Sequence, residues 1–258
     1  KLFSPHRSLR TAIVVLLSQV FESTGFNNSS LSYAYKNSVE YNLNEHEVIR
    51  NFRLINYPFD GDSWKVLPKL NIPQESQKII ADFIKTNINS EYICVSPGSV
   101  WETKKYLDKY YIEIIKYIVG IGYKVVILGS SKEFDACENI KKEFSSSVIN
   151  TAGKFSIIET IELIKRSKMI ICNDSAPTHF AMAANSSVIT LFCSTVPEFG
   201  FYPYSDKSSF LSVGNLSCKP CGIHGFRECP KNNYECAEKL YPYIVIDEIN
   251  KILERTKQ

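Results

Sequence analysis

The stretch MIICNDSAPTHFAMAANSSVITLF, Met169 to Phe192, decides the fold. Two apolar runs, Met169–Cys172 and Val188–Phe192, flank a segment with helical patterning, Ala176–Ala184. Neither run alternates with polar residues, which is the pattern of a strand buried on both faces. Strand, polar loop, helix and second strand make one βαβ unit. The same texture runs upstream. Predicted strands Tyr92–Val95, Lys124–Leu128 and Val148–Asn150 alternate with predicted helices Lys109–Ile121, Lys132–Phe144 and Ile157–Ser167. The expected class is α/β, a parallel sheet covered by helices, with helix Asp247–Glu254 closing the chain.

The first stretch, to about Tyr57, reads as helical with interruptions. Ser8–Phe21 carries apolar residues on a helical period, and Glu45–Leu54 reads as a helix entered through Asn44. Pro58–Pro73, broken by Pro, Gly and Asp, reads as a linker, and Gln74–Lys85 as a short amphipathic helix. The expected division is a first domain over 1–88 and a second over 89–258. The opening Lys1-Leu2-Phe3 resembles the tail of a strand, so the chain is expected to be a fragment.

The 258 residues suffice for two ordinary domains. Thirty Lys and Arg against 27 Asp and Glu leave a formal charge of +3. That balance argues against a dedicated nucleic-acid binder, which carries a basic face. The apolar run Ala12–Leu17 is far shorter than the ~20 residues of a spanning helix, and no small-residue cleavage site follows it. A cytoplasmic, reducing compartment is therefore expected. Of the eight cysteines, Cys218, Cys221, Cys229 and Cys236 lie close together in the chain. The pair Cys218-x-x-Cys221 resembles half a zinc site, and the cluster reads either as metal-bound or as reduced structural cysteines.

In open parallel sheets ligands bind beyond the carboxyl ends of the strands. The loops there read PGSVWETKK, GSSKE, TAGK, NDSAPTH and CSTVPE. In NDSAPTH, small residues open a helix whose free N–H groups suit a phosphate. Ser175 fits as its cap and Pro177 as a first-turn residue. Asp174 suits orienting the loop or bonding a sugar hydroxyl, and His179 falls one turn in, facing the site or the sheet. Lys104 can act as a point charge on an anion. Glu133 reads either as a ribose ligand or as a first-turn helix acid, and Lys154 either as a second cation near a diphosphate or as a solvated lysine. Neither G-x-x-x-x-G-K-[ST] nor G-x-G-x-x-G is present, so an NTPase or a dinucleotide oxidoreductase is not supported.

The ordered set PGSVWETKKY, GSSKE, TAGKFSIIE, NDSAPTHFAMA and LFCSTVPE resembles the family 9 glycosyltransferases, the bacterial heptosyltransferases of lipopolysaccharide core assembly. CKPCGIHGFRECPKNNYEC is similar to a cysteine-rich segment of that family, and His6–Arg10 and His46–Asn51 resemble the N-terminal domain of its type II members. The resemblance implies a glycosyltransferase-B fold of two Rossmann-like domains, the N-terminal one incomplete here. It implies an ADP-activated heptose donor and a lipid-linked core oligosaccharide acceptor, with inversion and no metal or other cofactor. Ser99 and Lys104 would contact the donor diphosphate, and Glu133 the ribose. Asp174, Ser175, Ala176 and His179 would form the phosphate- and sugar-facing loop, with Ala176 where the family more usually has Gly. Lys104 would stabilise the leaving ADP. The family's general base, an Asp in an N-terminal Gly-Asp loop, is expected to lie outside this chain; His6 is the nearest substitute. Arg7, Arg10, Arg50 and Arg53 suit an anionic acceptor, or alternatively a helix face paired with Glu45, Glu47 or Asp60. The acceptor implies peripheral work at the inner membrane. A family transferase using another nucleotide sugar, and a non-catalytic nucleotide-binding module, are the alternatives.

Overall fold

A computed structural model describes residues 1–255. The last three residues of the expected second domain, 256–258, lie outside the described residues. The chain forms two compact units, Lys1–Val66 with Glu198–Phe201, and Leu67–Pro197 with Tyr202 onward. This division falls earlier than the one expected between residues 88 and 89. The reason is that the helix after the linker buries Ile80 and Phe83 in the second unit's core, where Phe83 meets Phe155 edge-on.

The first unit holds three short parallel strands, β1 (Leu2–Ser4), β2 (Ser23–Phe26) and β3 (Asn37–Val39), in that order. Its helices are α1 (Leu9–Leu17), capped by Ser8, and α2 (Glu47–Leu54), capped by His46, whose Nδ1 accepts from the Val48 N–H at 3.2 Å. The cap is thus His46 and not Asn44, and two strands lie where helical patterning was expected. Strands of three or four residues are too short to show a period. The segment Glu198–Phe201 completes this unit. The carbonyl of Gly200 accepts from the Glu47 N–H at 2.9 Å. Gly200 has φ +86°, and a Cβ there would stand 2.5 Å from the Glu45 carbonyl oxygen, so only glycine fits.

The second unit is a six-stranded parallel sheet between two layers of helices. Its elements are α3 (Gln74–Phe83), β4 (Tyr92–Ser96), α4 (Asp108–Gly120), β5 (Lys124–Ile127), α5 (Phe134–Lys141), β6 (Val148–Asn150) and α6 (Ile157–Lys165). β7 (Ile170–Asn173), α7 (Ala176–Ala184), β8 (Val188–Phe192), β9 (Ser208–Ser212), α8 (Glu235–Glu238) and α9 (Pro242–Arg255) follow. Successive residues of β4 serve opposite cores. Ile93 and Val95 join α4, α5 and α9, while Tyr92 and Cys94 join α3, α6 and α7. Each fully buried Ile in these layers contributes about 1.5–3 kcal/mol. Helix α9 starts at Pro242, where proline suits a first turn, well before the expected Asp247.

The strand order is β6-β5-β4-β7-β8-β9. The chain moves outward from β4 to β6, then returns to lay β7 on the other side of β4. The β4–β7 boundary is therefore the topological switch point, the place where open α/β sheets bind ligands.

Candidate functional site

Two loops meet at the switch point, and Asn173 fastens them. It is the last residue of β7 and is 0 % exposed. Its Oδ1 accepts from the Tyr106 N–H and the Tyr111 hydroxyl, both at 3.0 Å. Its Nδ2 donates to the carbonyls of Pro97, at 2.7 Å, and Gly98, at 3.2 Å. Two lone pairs and two N–H donors are all used. The backbone turn after β4 is thereby fixed against the start of the NDSAPTH loop.

The next residue makes the second link. Asp174 Oδ2 lies 2.6 Å from Lys104 Nζ and accepts from the Thr195 hydroxyl at 2.7 Å. Their side chains are only 15 % and 13 % exposed, so the pair is shielded from bulk water and salt more than a surface pair. Lys104 is supported from behind by the cysteine-rich segment. Thr103 N–H donates to the Phe226 carbonyl at 3.1 Å, and Phe226 N–H donates to Thr103 Oγ1 at 2.8 Å. Gly225, at φ +81°, packs so close that a Cβ would stand 3.2 Å from Lys104 Cγ.

Beside this junction opens a cleft of about 520 Å³. One side presents Ser99, Ser175 and Ala176, with the first turn of α7; the other presents Ser130, Ser131 and Glu133; Phe155, Ile157, Thr160 and Phe180 give it an apolar region. Ser99 Oγ accepts from the Trp101 N–H at 3.4 Å. Ser175 stands at the N-cap of α7, but its hydroxyl donates to the Asn173 carbonyl at 3.2 Å and does not cap the helix, contrary to expectation. Ala176 is not among the left-handed residues, so the absence of glycine there carries no backbone strain. Glu133 Oε2 accepts from Ser130 N and Ser130 Oγ, both at 2.7 Å, a capping box that fixes the carboxylate. Gly98 lies against that carboxylate: a Cβ would fall 1.8 Å from Glu133 Oε1. Lys104, Asp174 and His179 stand beside the cleft and are not among the residues that line it, and His179 is exposed on α7. Packing around its ring is the first influence and sets the imidazole below the ordinary value, with nearby Asp174 pulling it up and Lys104 pushing it down.

Two expectations need correction. Lys154 does not line the cleft; its Nζ stands 4.2 Å from the Phe83 ring centroid, a cation–π contact that explains its direction. Arg50 is not an exposed acceptor ligand. It is 1 % exposed, and its guanidinium donates to the carbonyls of Asn42, Leu43 and Phe199, to the Tyr41 hydroxyl and to Glu47. Every branch of the fork is held inside the first unit. The four clustered cysteines are all free of disulfides. Among the described residues no group of three or more His, Cys, Asp or Glu could hold a metal ion. Cys221 Sγ turns to the Cys218 carbonyl and Cys229 Sγ to Asn233 Oδ1.

Of the remaining arginines, Arg7 lies 3.9 Å over the Tyr41 ring, and Arg53 forks onto Glu45 at 2.5–3.0 Å. The helix-face alternative therefore describes Arg50 and Arg53. Arg10 is exposed, and His6 Nδ1 lies 3.1 Å from Thr11 Oγ1. Sequence reading passed over Asn173, Thr195, Gly98 and the apolar wall of the cleft. The one available signal was an amide ending an apolar strand directly before an aspartate.

Residues 5–232 match the profile of glycosyltransferase family 9 (heptosyltransferase). The lipooligosaccharide heptosyltransferase 2 of Haemophilus influenzae is 25% identical over 225 residues, which are 80% of this chain and 63% of that protein. The chain thus spans less than two thirds of that relative's length. The structure of E. coli ADP-heptose lps heptosyltransferase II superposes with a TM-score of 0.75 at 21% identity, covering 98% of this chain and 76% of the other. A family 9 glycosyl transferase from Veillonella parvula gives 0.81 at 17% identity, covering 97% and 72%. At these identities the likeness establishes the fold, the expected glycosyltransferase-B type. The matched residues include both loops that Asn173 joins, and the chain belongs to glycosyltransferase family 9.

Proposed function

We propose that the second unit binds an ADP-activated heptose in the switch-point cleft. The whole protein, on this reading, transfers the heptose to a sugar hydroxyl of a lipid-linked lipopolysaccharide core. The observation that carries the reading is that the first turn of α7 and Glu133 line one cleft beside the Lys104–Asp174 pair. The base fits the apolar region at Phe155, Ile157 and Phe180, stacked as aromatic surfaces allow. The Glu133 carboxylate, held by Ser130, accepts from ribose hydroxyls. The diphosphate lies at the N-terminus of α7, where backbone N–H groups and the helix dipole favour negative charge.

Lys104 then exchanges part of its contact with Asp174 for the diphosphate. As the sugar–oxygen bond breaks, negative charge grows on the departing ADP. A preorganised cation there favours the transition state over the ground state. The positive charge supplied by Lys104 and α7 suits a metal-independent reaction. Attack by the acceptor hydroxyl from the face opposite the leaving group inverts the anomeric centre. No residue of this chain is assigned as the base that deprotonates that hydroxyl.

Among the described residues no helix is long and apolar enough to cross a membrane. On this reading the lipid-linked acceptor brings the protein to the membrane surface. The test is a transfer assay with ADP-heptose and heptose-less lipopolysaccharide, following release of ADP and the mass of the core. A core heavier by one heptose supports the reading. Equal turnover of UDP- or GDP-sugars contradicts the donor assignment.

A further inference from the structure

Helix α1 and the turn after it carry a surface that nucleotide binding does not use. Of the nine helical residues only Ala12 and Val15 are buried, so the helix stands out from its sheet as a ridge. Leu9, Ile13, Val14, Leu16, Leu17 and, past the helix end, Phe21 are each at least 45 % exposed, with Leu17 at 76 % and Phe21 at 78 %. Arg10, Ile13, Val14 and Leu17 stand at i, i+3, i+4 and i+7, which places them in one stripe down the outer face. A globular helix ordinarily turns its apolar stripe to the core and a polar face to water. Here both faces are apolar. Single exposed leucines need no explanation, but contiguous apolar surface of this kind marks a contact with another body.

The charges along this stretch have one sign. From Lys1 to Phe21 the chain holds Lys1, Arg7 and Arg10 and no Asp or Glu. The first acid, Glu22, is already paired with Lys36. Lys36 Nζ also stands 4.0 Å from the centroid of the Phe21 ring. The turn Ser32–Ala34 packs against α1 and presents an exposed Tyr33. Aromatic rings and long cationic side chains beside an apolar face suit the boundary between lipid headgroups and acyl chains. A fluid surface accepts a ridge directly, whereas a protein partner would have to offer a matching groove.

We propose that α1 and the turn to Phe21 are the surface by which the first unit lies on an anionic phospholipid bilayer. The helix is about 13 Å long, too short to cross, so it lies in the plane of the interface. Val14 and Leu17 enter the headgroup–acyl boundary, and Arg10 meets lipid phosphates. Binding of this kind adds buried apolar area to attraction for anionic lipid. The inference deepens the reading above, because a lipid-linked acceptor lies in such a bilayer. It rests on that reading for the acceptor alone and does not depend on which nucleotide the second unit binds.

The test is flotation of the whole chain with vesicles of phosphatidylethanolamine and phosphatidylglycerol, and with vesicles of phosphatidylcholine alone. The chain floats with the anionic vesicles and more weakly with the neutral ones, and added salt narrows the difference. Val14→Gln with Leu17→Gln weakens partition about tenfold or more on both, since two apolar side chains no longer leave water. Arg10→Gln weakens it about fivefold on anionic vesicles alone, the worth of one cation at such a surface. The double variant keeps the native melting temperature and ADP affinity, because both side chains are exposed and lie in the first unit. Equal partition of the native chain and the double variant, or no flotation of folded protein, overturns the proposal. A dimer seen by light scattering and broken by the double variant overturns it too, because a second copy would then cover α1. So does flotation that is lost in a form extended ahead of Lys1, where the added segment would be the cover. Failed flotation with intact ADP binding leaves the nucleotide reading standing; flotation without ADP binding supports the lipid surface and contradicts that reading.

Discussion

Lys104 Nζ and Asp174 Oδ2 lie 2.6 Å apart, one residue from the loop after β4 and the other from the loop after β7. Asn173, the residue before Asp174, bonds the same loop at Pro97, Gly98 and Tyr106, so two successive residues of one strand end tie down one neighbouring loop. A charged residue that already has a partner is preorganised for an anion without being lost to solvent.

Lys104→Ala should weaken ADP binding about tenfold to a hundredfold, the range for losing one hydrogen bond to a charged group. Calorimetric titration checks this. Adding Asp174→Asn should change the loss non-additively, because the two groups touch. Affinity unchanged in Lys104→Ala would remove the lysine from the site.

Asn173→Leu should destabilise the second unit by about 2–4 kcal/mol, because it leaves the Tyr111 hydroxyl and the Tyr106 N–H buried without their acceptor. Urea unfolding followed by circular dichroism measures it. Among folded molecules ADP affinity should also fall, since Pro97 and Gly98 lose the clamp that shapes the cleft.

Gly98→Ala places a methyl group where the Glu133 carboxylate sits. The carboxylate must leave its capping box, at about 0.5–2 kcal/mol in stability. ADP binding should drop by about tenfold, equivalent to one ribose contact. Serine at the same position should behave alike, since both introduce a Cβ.

His179 gives a pH dependence whose sign is fixed. Its folded pKa is depressed, so the unfolded state binds the proton more tightly. Stability from this group is complete above the ordinary imidazole value of about 6.5 and is lost as pH falls through it toward the lower folded value. Melting temperatures measured between pH 5 and 8 should show less acid loss in His179→Gln than in the native protein.

Arg50→Met should cost the first unit about 3–5 kcal/mol, as breaking a buried ion pair does. ADP affinity, a property of the second unit's cleft, should be retained wherever the protein is folded. A selective loss of acceptor use in a protein of native stability would restore Arg50 to acceptor binding.

Much of the second unit was legible in the sequence. β6, α7 and β8 fall within the bounds that their patterning indicates, because buried parallel strands are apolar throughout and helices between them keep a period. Strand order was not legible. It depends on pairing between residues far apart in the chain, and only the return of β7 to the side of β4 brings Asp174 to Lys104. Strand β9, read SSFLS, escaped because it is a half-exposed edge strand that alternates over only five residues. Of the site residues, Lys104, Glu133 and Asp174 were visible as charges on strand-end loops. Asn173 was not, because a buried amide gives no sign in sequence of what it bonds. Lys154 and Arg50 looked like free cations for the same reason: aromatic faces and backbone carbonyls are partners that composition does not show.

The central claim is that the switch-point cleft is an ADP site. Calorimetric titration of the folded chain with ADP, and with UDP and GDP under the same conditions, tests it most directly. The account predicts saturable binding of one ADP per chain, with UDP and GDP at least about tenfold weaker, a difference of about 1.4 kcal/mol. Equal affinity for all three nucleotides, or no heat from protein shown to be folded, would contradict it.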